Sequence, residues 1–158
     1  MIMNKELDKL DSSEKELILK APLLVCLLIA GADNEIDKKE VRGAVELSRK
    51  KRKQGNTALT ELFEEVSTDF EDKLKILLES LPHKPEIRTK AISDELARLN
   101  RVLPKLGKGF SSDYYKALRY IAEKIAESSG GILGIKSVAE EEESLMTLPM
   151  IKSPTAAG

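Results

Sequence analysis

The sequence predicts an all-α protein, a single-domain bundle of six or seven helices with two weakly related halves. Two observations carry this. Apolar residues recur at steps of three and four, with helix start and stop signals between the runs, and no segment alternates with period two over a useful length. At 158 residues the chain has the size of one domain and can bury about two thirds of its unfolded surface. The expected division is a lead-in over residues 1–12, a helical domain over 13–148 and a flexible tail over 149–158.

The first helix starts at a Ser13/Glu16 capping box and ends at Gly31, with Pro22 expected to kink it or split it near residue 20. Its apolar stretch, Ala21 to Ala32, is 12 residues long, whereas a membrane span needs about 20. Residues 1–20 mix acids and bases with no signal-peptide pattern, so the expected location is cytoplasmic. Cys26, the single cysteine, lies inside this stretch and reads as a small buried hydrophobe.

A second helix is expected from about Lys38 to Gln54, with Gly55 as its stop and the basic run Arg49 to Lys53 at its negative end. From Thr57 to Leu81, Leu59, Leu62, Phe63, Val66, Phe70, Leu74, Leu77, Leu78 and Leu81 form one buried stripe. Thr68 and Glu71 have capping-box spacing, which predicts a break near Ser67. LPHKP ends the stripe and leaves His83, the only histidine, in a turn.

Pro85 opens the next helix, whose buried side is expected to be Ile87, Ala91, Ile92, Leu96, Leu99, Val102 and Leu103, until Pro104. LGKGF lacks the pattern of a phosphate loop and reads as a helix connection. Ser111 or Ser112 is expected to cap a helix through Ser128, with Tyr114, Ala117, Leu118, Ile121 and Ile125 inside. SSGGILGIK then forms a loop, and a short last helix from near Ser137 carries Glu140 to Glu143.

The chemistry-bearing stretch is IAGADNEIDKKE, Ile29 to Glu40, in which Asp33, Glu35, Asp37 and Glu40 fall within eight residues. Its tail resembles the second half of a calcium-binding EF-hand loop. Setting Glu40 on the twelfth position, however, puts Ile29 and Gly31 where carboxylates should be. Starting the loop at Asp33 instead puts Lys38 on the glycine position, so no EF-hand is present. Asp37 and Glu40 also have the spacing of a reciprocal helix cap, so Glu40 fits either a cap or a ligand set.

A helix ending in small residues and followed by Ala32, Asp33, Asn34, Ile36 and Glu40 resembles the tellurite-resistance TerB-like family. A second, weaker copy lies near the C-terminus. There IAESS (Ile125 to Ser129) parallels IAGAD, and VAEEE (Val138 to Glu142) parallels IDKKE, with GGILGIK inserted between the two parts. The resemblance spans about residues 13–147. It implies an all-helical domain of two related halves whose acidic turns lie near each other and bind a divalent cation. Asp33, Glu40 and Glu142 carry over as ligands, with Glu35, Asp37 and Glu140 as supplementary ones, and Ser129 stands where a second Asp33 would be. Oxygen-only ligands favour calcium, magnesium or manganese over zinc. The family further implies a role in tellurite or other chemical stress, with protein partners within a membrane-associated assembly.

Charge and motif content narrow the function classes. With 26 basic and 27 acidic residues, no nucleic-acid partner is expected. No nucleophile stands at useful spacing from a base and the lone histidine sits in a turn, so no enzyme is expected. What remains is a metal-responsive stress protein or, alternatively, a metal-free protein–protein interaction module. In the latter, the basic run at Arg49 to Lys53 and the acidic run at Glu140 to Glu143 serve as contact surfaces.

Overall fold

The computed structural model describes residues 6–30, 42–43, 46, 57–128 and 147–153. Among these, every regular element is helical, and the fold is all-α. The α-helices are α1 (Ser12–Ala30), α2 (Thr57–Ser67), α3 (Phe70–Ser80), α4 (Pro85–Ala97), the single turn α5 (Leu99–Val102) and α6 (Lys108–Ser128). Two 3-10 turns, Leu7–Lys9 and Leu103–Lys105, flank them. Among the described residues, five helices exceed two turns, fewer than the six or seven expected. The expected helices over Lys38–Gln54 and from Ser137 fall outside the described residues, apart from Arg42, Gly43 and Glu46, which are helical.

The centre of the molecule is α1, and its sequence explains why. From Ala21 to Ile29 every residue is buried, so this half of the helix has no polar face to show to water. Helices α2, α4, α5 and α6 all pack against it, α6 most extensively. Each fully buried leucine here contributes about 1.5–3 kcal/mol relative to an exposed one. Cys26 behaves as the small hydrophobe expected, and burial pushes its thiol pKa upward.

Pro22 does not split α1, which runs unbroken through it. Proline has no N–H to donate to the carbonyl four residues earlier, which is that of Ile18. The Tyr114 hydroxyl of α6 donates to the Ile18 carbonyl at 2.7 Å. An acceptor that Pro22 deprives of its helical partner is therefore satisfied from across the core. Tyr114 is itself fully buried, and desolvation holds its phenol well above the ordinary tyrosine range, so it stays a donor.

The start of α1 also differs from expectation. The capping box is formed by Asp11 and Glu14 rather than by Ser13 and Glu16. Asp11 Oδ1 accepts from the Glu14 amide at 2.9 Å, and Glu14 Oε1 accepts from the Asp11 amide at 3.0 Å. The Ser13 hydroxyl donates to Asp11 Oδ1. Two candidate boxes overlap in DSSEKE. The outer one places an ionised oxygen at the positive end of the helix and holds Glu14 by its Oε1, while its Oε2 meets Lys105.

Beyond Ser67 the chain breaks as expected, but by another device. The Thr68 hydroxyl donates back to the Glu64 carbonyl at 3.0 Å, closing α2 instead of opening α3. Asp69 then takes the left-handed conformation (φ 52°), which a short polar residue tolerates. The stripe from Leu59 to Leu74 is buried, and Leu77, Leu78 and Leu81 are half-buried as α3 leaves the core.

In α4 only the first turn departs from the expected buried side: Ile87 is 53% exposed and Arg88 is buried. Arg88 lies four and eight residues before Ile92 and Leu96 and so shares their face of the helix, where the long arginine stem can cover apolar surface. Ile92, Leu96, Leu99, Val102 and Leu103 are buried as expected. Lys20 and Arg98 both pair with Glu95, at 3.2 and 2.7 Å, the first tying α1 to α4.

Helix α6 begins at Lys108, earlier than a Ser111 or Ser112 cap would allow. Ser111 lies inside the helix and donates back to the Gly107 carbonyl at 3.1 Å. At the start of α6, the Gly107 amide donates to Glu6 Oε1 at 2.9 Å. A Cβ on Gly107 would come within 3.1 Å of Glu6 Oε2, so a larger residue here would require the Glu6 carboxylate to shift by a few tenths of an ångström.

The packed body extends past both expected boundaries. Leu10 is buried and Glu6 is anchored, so residues 6–12 belong to it. At the other end Leu148 and Ile151 are buried, and Asn100 bonds to the backbone of Met150 and Lys152. Residues 149–153 are therefore docked, not tail.

Candidate functional site

The direction of two helices decides where the candidate site can lie. Glu14, near the start of α1, pairs with Lys105, just before α6, and Glu6 anchors Gly107 beside it. One turn further along, Ile18 meets Tyr114. The contacts advance together along both chains, so α1 and α6 run parallel with their first turns at one end of the bundle. Their last residues, Ala30 and Ser128, consequently leave the core at the opposite end. At 1.5 Å per residue, α1 continues about 18 Å and α6 about 21 Å beyond the Ile18–Tyr114 contact.

Each exit precedes an acidic segment of the sequence. Asp33 is three residues past the end of α1, and the segment with Glu140 and Glu142 follows α6. Asp33, Glu35, Asp37, Glu40, Glu140 and Glu142 themselves lie outside the described residues. Among the described residues no group of three or more His, Cys, Asp or Glu side chains could hold a metal ion. As a donor set, the six carboxylates suit a hard, oxygen-seeking cation.

The near end of the same helix pair is a different kind of polar site. A hydrogen bond from Lys105 holds the Glu14 carboxyl below its ordinary range, assisted by the Asp11 amide. The Glu14 amide and then the Ser13 hydroxyl do the same for Asp11, and the Gly107 amide does so for Glu6. These carboxylates are consumed by caps and anchors, which leaves them structural.

A solvent-open groove of about 630 Å³ runs between α1, α2 and α3. Leu19, Leu23, Ile76 and Leu77 form its apolar part, with Lys15, Lys20 and Lys73 among the polar residues around it. Lys73 Nζ donates to the Glu65 carbonyl at 2.8 Å, and Ile76 is 67% exposed. His83 is exposed in its turn, as expected. Tyr115 and Tyr120 are half-buried, with Arg119 and Lys124 respectively over their rings, so both aromatic faces already have cations beside them.

Sequence reasoning missed Asn100, Lys105 and the hydroxyl of Tyr114 as tertiary contacts. Only Tyr114 carried a signal: a phenol on an apolar helix face needs a buried acceptor, and Pro22 leaves one. No helix among the described residues is long and apolar enough to cross a membrane. No protein-family model matches the chain, and no curated protein or solved structure matches it either.

Proposed function

We propose that this chain is a non-enzymatic, TerB-like stress-response protein that binds a divalent cation between its two acidic turns. Asp33 and Glu40 come from the first turn and Glu142 from the second, with Glu35, Asp37 and Glu140 as supplementary ligands. One ion can touch both turns only if they converge. The observation that supports convergence is the parallel run of α1 and α6, which directs both exits to the same end of the bundle. Calcium, magnesium and manganese are the candidates, because carboxylates are hard donors. Binding would brace the two halves against each other and alter the surface offered to protein partners, including those of a membrane-associated assembly.

Calorimetric titration of the wild type and of Asp33→Asn combined with Glu40→Gln tests this. Binding heat and a cation-dependent rise in Tm are expected for the wild type, and neither for the variant. Absence of both in the wild type overturns the metal reading. The second reading is a metal-free interaction module. The exposed apolar surface at Ile76, continuous with Leu19, Leu23 and Leu77 in the groove, favours the apolar face of an amphipathic helix as its partner.

A further inference from the structure

We draw no further inference here: the strongest candidate, the open groove that Leu19 and Leu23 of α1 form with Ile76 and Leu77 of α3, carries nothing beyond the second reading above, because lysines and glutamates alternate around it and nothing in the structure shows what covers it.

Discussion

Helices α1 and α6 are joined at two places by opposite kinds of chemistry. At their first turns the link is charged and close to water: Asp11 and Glu14 cap α1, Lys105 pairs with Glu14, and Glu6 holds the Gly107 amide. One turn deeper the link is a single neutral bond from Tyr114 to the carbonyl that Pro22 leaves without a helical donor. The outer link has more bonds, but water can replace any of them. The inner link has one, and nothing else can reach it. Burial, more than the number or charge of the bonds, should therefore decide which link matters to stability.

Four measurements break or sharpen that contrast, from the largest expected effect to the smallest. Tyr114→Ala removes both the ring and the bond and should cost about 3–5 kcal/mol in denaturant unfolding. Tyr114→Phe keeps the ring, leaves the Ile18 carbonyl unsatisfied and should cost about 1–3 kcal/mol. That cost should shrink toward zero when Pro22→Ala is present, because alanine at that position restores the missing helical N–H. A double-mutant cycle showing no coupling between the two positions would refute this account of the helix.

The outer link should respond to pH where the inner one does not. Glu6, Asp11 and Glu14 all have lowered pKa values in the folded chain. Their contribution is complete above the ordinary carboxylate values of roughly 4, and is lost as pH falls through the lowered ones. Glu14→Gln should therefore lower Tm at pH 7 and make a vanishing difference once the pH is low enough to protonate Glu14 in the folded wild type. A Tm difference unchanged by acid would show that the residue acts through packing alone. The smallest effect is salt. At about 1 M the screening length is about 3 Å, so the Glu14→Gln difference should narrow while the Tyr114→Phe difference stays constant.

Much of the fold was legible in the residues because helical periodicity is a local property. The stripe from Leu59 to Leu74, the turn at His83, the end of α6 at Ser128 and the burial of Cys26 all lie where the spacing of apolar and breaking residues puts them. The errors have one physical origin. DSSEKE contains two overlapping capping boxes, and a partner at Lys105 favours the one containing Glu14. At the start of α4 residue type and helical spacing disagree: Ile87 is the apolar residue, but Arg88 is the one spaced to share the face of Ile92 and Leu96. Of the candidate site, the acidic segments are visible as sequence motifs and lie outside the described residues, while the parallel arrangement of α1 and α6 was not legible.

The amino-acid sequence by itself determined which of the described segments are helical, and that the apolar half of α1 is buried, since a run with no polar face has only the interior to occupy. Tertiary structure alone decided that α1 continues through Pro22, that α1 and α6 run side by side in the same direction, and that residues 149–153 are docked. Each of these rests on a bond between residues far apart in the chain: Tyr114 to Ile18, Lys105 to Glu14, and Asn100 to Met150 and Lys152. Local preference reaches only a few residues along the chain, and these pairings exist only once the chain has closed on itself.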